Sequence, residues 1–261
     1  MTTHGRLLLT VDDAVAHLVL SRSQAANTID LALAAEFRDA VAEVGRSDVR
    51  ALVISGAGGT FCAGGDVREM AAADDLPGTV RRLAATFHDA VLALAELPAV
   101  IVAAVDGPAA GAGLGLALNA DLIVASDRAM FLTAYEAIGL TPDSGTSLLL
   151  PRAVGLPRAT AMSTLGTRLS ATEAHRLGMV HEVVAPDDLL PTATATARRL
   201  AQRPQAHLPA TRALYRGLDI AGYRRHLDAE TAAIAAAAAT AEAAELILAF
   251  ASRTDNPKET T

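Results

Sequence analysis

Residues 102–113 read Val-Ala-Ala-Val-Asp-Gly-Pro-Ala-Ala-Gly-Ala-Gly, and they decide the fold prediction. The apolar run 100–105 predicts a buried strand, and the glycine- and alanine-rich segment after it predicts a tight turn into a helix. A second stretch of this kind lies upstream, where the short strand 51–54 leads into Gly-Thr-Phe-Cys-Ala-Gly-Gly-Asp-Val at 59–67. Such loops leave backbone N–H groups uncovered, and a helix after each loop adds its positive dipole end. The two loops therefore either serve tight strand–helix packing or aim two amides at one developing oxyanion.

The rest of the chain alternates between strand and helix patterns up to about Pro142, which indicates an α/β domain with crossover connections. Strands 7–11 and 14–20 flank Asp12-Asp13 as a hairpin, and helix 31–44 follows Asp30 as its N-cap. After Pro142 the pattern is helical. The expected helices there cover 144–154, 158–165, 171–177, 187–202, 207–218 and, as one long helix, 223–252.

Composition excludes several classes of protein. The chain has 261 residues, of which 51% are hydrophobic and 3% aromatic, and its formal net charge is −7. Without a basic stripe it lacks the electrostatic footprint of a nucleic-acid-binding protein. Its single cysteine, Cys62, rules out an intrachain disulfide and a cysteine-based zinc site. No apolar run reaches the roughly 20 residues of a membrane span, and no signal peptide is evident, so a cytoplasmic protein is expected.

Taken together, the two loops resemble the crotonase (enoyl-CoA hydratase/isomerase) superfamily. The resemblance rests on Phe-Cys-Ala-Gly-Gly-Asp at 61–66 followed by residues 102–113. Further matching segments occur in the same order at 120–125, 138–143, 150–152, 165–166, 170–174, 177–180 and 245–250.

This resemblance implies an α/β fold, a crotonase-like spiral of ββα repeats with a helical C-terminal trimerisation region. The spiral core would cover 1–195 and bind acyl-CoA, and 196–261 would form the helical oligomerisation region. A homotrimer, or a hexamer made as a dimer of trimers, is expected. The alanine-rich stretch 232–239 is either part of that interface or the shallow core face of a monomeric helix.

The resemblance also implies where the substrate, a coenzyme A thioester, would bind. The backbone N–H groups of Gly65 and Ala112 would form the oxyanion hole for the thioester carbonyl. Glycine and alanine suit this role because a larger side chain would obstruct the approach of the substrate to the backbone. The remaining expected substrate-binding residues are Gln24, Ala25, Ala63, Asp66, Val67, Arg68, Tyr135 and Glu136.

The coenzyme end of this site lacks one expected feature. Gln24 stands where many members of the superfamily carry a basic residue. Arg22 is the nearest cation and either replaces that residue or is a solvated surface charge. Asp66 would cap or brace its loop.

Hydration is disfavoured because the two carboxylates of hydratases in this superfamily are missing. The matching positions hold Gly115 and Tyr135. Glycine offers no proton-transfer group, and a tyrosine hydroxyl with an ordinary pKa near 10 is a poor base at neutral pH. Glu136 comes next in the chain, but its side chain is expected to point elsewhere.

Asp143 is the preferred catalytic residue. By local rules an aspartate after proline is a helix N-cap. Members of the superfamily that resemble this segment, ring-epoxide isomerases and Δ-isomerases among them, place a catalytic aspartate there. One carboxylate suits an isomerase, with Ala134, Ile138, Leu140 and Leu148 as its apolar wall.

Several other residues and functions remain as alternatives. A nucleophilic aspartate of the dehalogenase type, a hydratase using Glu136 and a CoA-binding scaffold without activity are the competing functions. His88 and His175 are expected to be surface or hydrogen-bonded residues, and Cys62 a small packing residue. No metal or redox cofactor is implied.

Overall fold

A seven-stranded sheet forms the centre of the computed structural model, which describes residues 2–204, 207–217 and 219–255. Its strand order is β1-β2-β3-β4-β5-β7-β10. The first three strands are antiparallel, and the strands from β3 onward are parallel. The strands are β1 (Thr2–His4), β2 (Leu7–Asp12), β3 (Val15–Leu20), β4 (Ala51–Gly56), β5 (Val100–Val105), β6 (Pro108–Ala110), β7 (Leu122–Ser126), β8 (Met130–Leu132), β9 (Leu169–Ser170) and β10 (Glu182–Val184).

Helices cover both faces of this sheet, so the predicted α/β class is confirmed. The helices are α1 (Leu31–Gly45), α2 (Val67–Ala71), α3 (Leu76–Glu96), α4 (Ala112–Leu118), α5 (Thr146–Val154), α6 (Leu156–Leu165), α7 (Ala171–Arg176), α8 (Leu189–Ala201), α9 (His207–Arg216), α10 (Ile220–Ala238) and α11 (Ala241–Asp255).

Alternate residues of the buried strands enter different cores, as the period-2 geometry of a strand requires. On β4, Leu52 and Ile54 face the main core, while Ala51 and Val53 join a smaller cluster beneath α8. Because both faces are covered, these strands have continuous apolar sequences rather than alternating ones.

Local sequence signals explain several helix boundaries. Asp30 caps α1 as predicted, accepting a hydrogen bond from the backbone N–H of Leu33 at 2.7 Å. Ser170 and Glu173 form a reciprocal capping box at the start of α7. Helix α3 packs against α1, where Phe37 and Phe87 meet edge to face with ring centroids 5.9 Å apart.

The expected single helix 223–252 is wrong. The structure breaks it at Ala239 and Thr240, and α10 and α11 are bent by 84° to one another. The Thr240 hydroxyl accepts a hydrogen bond from the Ala243 N–H at 3.2 Å, which is how a threonine starts a new helix. The bend carries α11 back against α2.

Four short strands were missed by the sequence analysis: β6 and β9 of the small sheet, and two strands at the edges of the main sheet. Residues 2–4 extend the hairpin as β1, and residues 182–184 add β10 in parallel to β7. Both are three residues long, too short for a clear alternation of apolar and polar residues.

The C-terminal helices are part of the main core. Tyr223, Leu227 and Ile234 of α10 and Ile247 of α11 belong to the same buried cluster as the sheet. Within the described residues, no single helix is long and apolar enough to cross a membrane, and α10 with α11 passes that test only as a bent pair.

Candidate active site

The two glycine-rich loops lie side by side and are joined by backbone hydrogen bonds. The Cys62 N–H donates to the Pro108 carbonyl at 3.1 Å, and the Ala110 N–H donates to the Cys62 carbonyl at 3.0 Å. Gly113 permits this contact, because a Cβ there would lie 2.8 Å from the Cβ of Cys62 and even closer to its carbonyl oxygen. Strand β6 in turn pairs with β8, so a second small sheet supports the loops.

This pairing brings the two candidate oxyanion-hole residues to one cavity. Gly65 lies in the first loop, and Ala112 is the first residue of α4. Among the residues that the structure describes, neither backbone N–H has an acceptor within the protein. The amide at a helix start needs an acceptor from outside the helix, and a bound carbonyl oxygen would supply it.

The cavity has a volume of about 370 Å³ and two chemically different parts. One part is an apolar wall supplied mainly by one face of α3 and by the segment after Tyr135. That wall includes Val80, Leu83, Ala84, Phe87, Ile138 and Leu140, and Ile234 and Phe250 from the C-terminal helices complete it. Ala134 also lines the cavity as expected, but Leu148 does not, since it faces a separate small pocket beside Tyr223.

The other part of the cavity holds the residues expected to meet coenzyme A. Its lining includes Gln24, Ala25, Ala63, Asp66, Val67 and Arg68.

Arg22 also lines this end, but internal partners hold its guanidinium. It bridges Asp66 at 2.6 Å and Asp30 at 3.3 Å and donates to the Thr28 carbonyl at 2.9 Å. The arginine therefore braces the loop rather than standing free for a phosphate.

Asp66 is the N-cap of α2. Its Oδ1 accepts hydrogen bonds from the backbone N–H groups of Arg68 and Glu69, at 3.0 and 3.3 Å. Burial acts to raise the pKa of Asp66, but the hydrogen bond from Arg22 and those two amides outweigh it. The pKa of Asp66 therefore lies below its ordinary value. An ionised Asp66 thus fixes the backbone immediately after Gly65.

Asp143 is buried, lines the cavity and does not cap a helix. The N-cap of α5 is Gly145, and no side chain caps that helix from within its own segment. The Oδ1 of Asp143 accepts hydrogen bonds from the hydroxyls of Tyr135 at 2.7 Å and Ser144 at 3.0 Å. Among the described residues, no donor hydrogen-bonds to Oδ2, whose neighbour is the Nε2 of His88 at 3.8 Å. One carboxylate oxygen is thus held in place and the other is free to take a proton.

Tyr135 acts as a donor to this carboxylate. Burial first, and then the negative charge of Asp143, raise the pKa of Tyr135 well above its ordinary value. The phenol therefore keeps its proton and orients Asp143 through it.

His88 is a site residue whose contact with Asp143 the sequence did not reveal. It is buried, not on the surface, and its Nε2 accepts a hydrogen bond from the Ser144 N–H at 2.9 Å. Its Nδ1 lies 2.9 Å from the Thr231 hydroxyl. Because Nε2 accepts a hydrogen bond, the proton is on Nδ1 and the ring is neutral. In the sequence, the only indication that His88 belongs to the site is its position on the apolar face of a predicted helix.

Position 115 has no room for a side chain. A Cβ on Gly115 would lie 2.6 Å from the Cβ of Ser144, 2.8 Å from its carbonyl oxygen and 2.8 Å from the Thr146 hydroxyl. Glu136 does not line the cavity. Its carboxylate lies near Gly166 and accepts a hydrogen bond from the Thr133 hydroxyl at 3.4 Å. Gly115 thus has no side chain that could enter the cavity, and Glu136 lies outside it.

Cys62 is fully buried, and burial raises the pKa of its thiol to about 12. A thiol with that pKa is protonated at neutral pH and is a poor nucleophile. Cys62 therefore packs against the second glycine-rich loop, as expected of a small packing residue.

The fold and the paired loops define a class, the crotonase-fold proteins. The crystal structure of an enoyl-CoA hydratase from Mycobacterium avium subsp. paratuberculosis K-10 superposes with a TM-score of 0.85 at 27% identity, over 95% of this chain and 99% of that one. The family model described as enoyl-CoA hydratase/isomerase matches residues 10–259. The chain belongs to the enoyl-CoA hydratase/isomerase family.

Its relatives include proteins named as isomerases and proteins named as hydratases. A 1,2-epoxyphenylacetyl-CoA isomerase of Escherichia coli (strain K12) is 38% identical over 204 residues, covering 76% of this chain and 77% of the relative. A probable enoyl-CoA hydratase of Rhodobacter capsulatus is 35% identical over 209 residues, covering 80% of each chain.

Proposed function

We propose that this enzyme is an acyl-CoA isomerase that works through a thioester enolate, with Asp143 as its only acid/base. The observation that carries the proposal is the free Oδ2 of a buried, oriented carboxylate in the same cavity as two unpaired amides. The proposed isomerisation is either the migration of a double bond or the opening of a ring epoxide.

A single carboxylate can both remove the proton and return it. For a 3-enoyl ester, Asp143 takes the proton from the carbon next to the thioester, and that C–H electron pair forms the enolate. The amides of Gly65 and Ala112 bind the resulting oxyanion, a contribution of about 2.7–4 kcal/mol for one such donor. The enolate then collapses, the distal carbon recovers the proton from Asp143, and the double bond lies next to the thioester. No metal or redox cofactor takes part.

Two features support isomerisation over hydration. Hydration needs groups that hold and activate water, and the packing around Gly115 leaves no space for a carboxylate there. Tyr135 at the second position is a protonated donor that is already directed at Asp143.

The acyl group would lie along the apolar wall, and the coenzyme would contact Gln24, Ala25, Ala63, Val67 and Arg68. The similarity to a relative named as a 1,2-epoxyphenylacetyl-CoA isomerase agrees with the proposal.

Proton exchange in heavy water tests the proposal. The enzyme is incubated with 3-enoyl-CoA and 2-enoyl-CoA, and deuterium next to the thioester is followed by mass spectrometry. Exchange and double-bond migration are expected with the wild-type enzyme. Asp143→Asn should lower the rate by about 100-fold or more, since proton transfer by a placed base contributes roughly 10²–10⁴. It should still bind the ester, seen as a ligand-induced rise in melting temperature.

Three outcomes would contradict the proposal. Full exchange in Asp143→Asn removes Asp143 from the mechanism. Water added to the product would indicate a hydratase. Binding without exchange, across several acyl-CoA esters, would indicate a scaffold.

A further inference from the structure

The turn that carries Asp143 has an unfavourable backbone conformation. Ser144 and Gly145 follow Asp143 with φ angles of 59° and 79°, both in the left-handed region. For a residue with a Cβ, such as Ser144, that region is sterically disfavoured. The surroundings must therefore hold the turn, and with it the orientation of the Asp143 carboxylate.

Three separate helical segments hold the backbone of this turn. The Ser144 N–H donates to His88 of α3, and the Ser144 carbonyl accepts from the Nδ2 of Asn119, after α4, at 3.0 Å. The Gly145 N–H donates to the Oε2 of Glu230, on α10, at 2.8 Å.

Glu230 makes the most extensive of these contacts. Its other oxygen, Oε1, accepts the Ser147 N–H at 3.1 Å and the Ser147 hydroxyl. Its carboxylate thus occupies the N-terminal end of α5, where orphan amides and the helix dipole favour a negative charge. The residue is 5% exposed and lies 85 residues from Gly145 in the chain. No side chain within that helix's own segment provides this cap.

The environment of Glu230 is otherwise unfavourable to a carboxylate. Burial is the main cause that raises its pKa, and the negative charge of Asp143 adds to that, while the Ser147 and Gly145 hydrogen bonds act in the opposite direction. The side chains facing it include Asp143, neutral His88 through its Nε2 at 4.0 Å, and His226 at 3.4 Å.

We propose that Glu230 is a positioning residue for Asp143: by binding the amides of Gly145 and Ser147 it fixes the turn that directs the catalytic carboxylate into the cavity. The inference rests on the proposed function of Asp143. It gives α10, which already lines the cavity through Ile234, a second role through a residue that does not line the cavity.

Glu230→Gln is the main test, with Asp228→Asn as its matched control. Glutamine keeps the shape but replaces one acceptor oxygen by an NH₂ group, which faces a backbone N–H. Asp228 is an exposed acid on the same helix, so its variant makes the same change in charge. We expect kcat of Glu230→Gln to fall about ten- to a hundredfold with KM changed less than about twofold, as for a displaced catalytic group. Asp228→Asn should match the wild type, and a wild-type kcat in Glu230→Gln would overturn the proposal.

A second measurement needs neither activity nor a variant. Amide hydrogen exchange of the wild-type protein should be slow at Gly145 and Ser147, relative to Arg158 at the start of α6, which has no side-chain cap. Equal, fast exchange at all three amides would contradict the proposed role of Glu230 in holding this turn. If no acyl-CoA ester reacts, the proposed function fails while this comparison still decides whether Glu230 holds the turn.

Discussion

At the residue scale, burial acts to raise the pKa of Asp66 and of Cys62 alike, and hydrogen bonding decides the direction of the net shift. Asp66 is buried yet has a lowered pKa, because Arg22 and two amides stabilise its charge. Cys62 lacks comparable support, and the pKa of its thiol rises to about 12. The same physical rule separates a structural carboxylate from a buried neutral group.

The Arg22–Asp66 pair should make stability depend on pH in acid. A lowered carboxyl pKa contributes stability that is fully present above the unfolded-state value of about 3.9, and that is lost as pH falls through the folded value. Arg22→Met removes the main stabilising partner of Asp66. We expect the drop in the free energy of unfolding between about pH 5 and about pH 3 to be smaller in this variant than in the wild type.

Urea unfolding at both pH values measures this difference. Arg38→Met is the control, because Arg38 pairs with Asp39 on the exposed face of α1. An equal pH-dependent drop in Arg22→Met and the wild type would contradict the role given to Arg22.

At the scale of elements, the contact between α4 and α5 determines where Asp143 lies. Gly115 of α4 touches Ser144 and Thr146, so each atom added at 115 pushes on the turn before α5. We expect Gly115→Ala to lower the free energy of unfolding by about 1–3 kcal/mol, as overpacking does. It should also lower kcat, because the displaced turn carries Asp143.

Gly45→Ala is the matched control for that prediction. Gly45 is also a glycine in a helix, at the end of α1. A Cβ there would meet only the flexible tip of the Leu97 side chain, at 3.3 Å. Chemical denaturation and steady-state kinetics on both variants provide the comparison. A Gly115→Ala enzyme as stable and active as Gly45→Ala would refute the close packing at Gly115.

Elements governed by neighbouring residues could be predicted from the sequence. The hairpin around Asp12-Asp13, the Asp30 cap and the two glycine loops each depend on a few consecutive side chains. The break at Thr240 could not be predicted in this way. Alanine favours a helix on both sides of it, and the tertiary packing of α11 decides the bend. The contact of Glu230 with Gly145 joins residues 85 apart, and no local pattern encodes it.

The candidate site divides in the same way. Gly65, Ala112 and Asp143 were predicted as site residues from motifs, and all three line one cavity. Their catalytic roles stay a proposal. The residues around Asp143 that the motifs did not reveal include His88 and Glu230, which lie on α3 and α10. Their positions near Asp143 could be found only from the folded structure.

At the scale of the whole molecule, we expect a homotrimer or a hexamer. Leu165, Leu214 and Tyr215, which are 79%, 80% and 86% exposed in the described chain, are the candidate apolar contacts of the subunit interface. Sedimentation velocity should give three or six times the mass of one chain, unchanged on moderate dilution. A single species of monomer mass would contradict this prediction.

The packing around Gly115 also constrains the order in which this active site could change during evolution. A glutamate introduced there first would meet the Ser144 carbonyl and the Thr146 hydroxyl before it met any substrate. Smaller or displaced residues at 144 and 146 would have to precede it, and those changes would disturb Asp143 before a second carboxylate existed. In this chain, a glutamate at 115 is therefore expected to be tolerated only after residues 144 and 146 have changed, at the expense of the turn that carries Asp143.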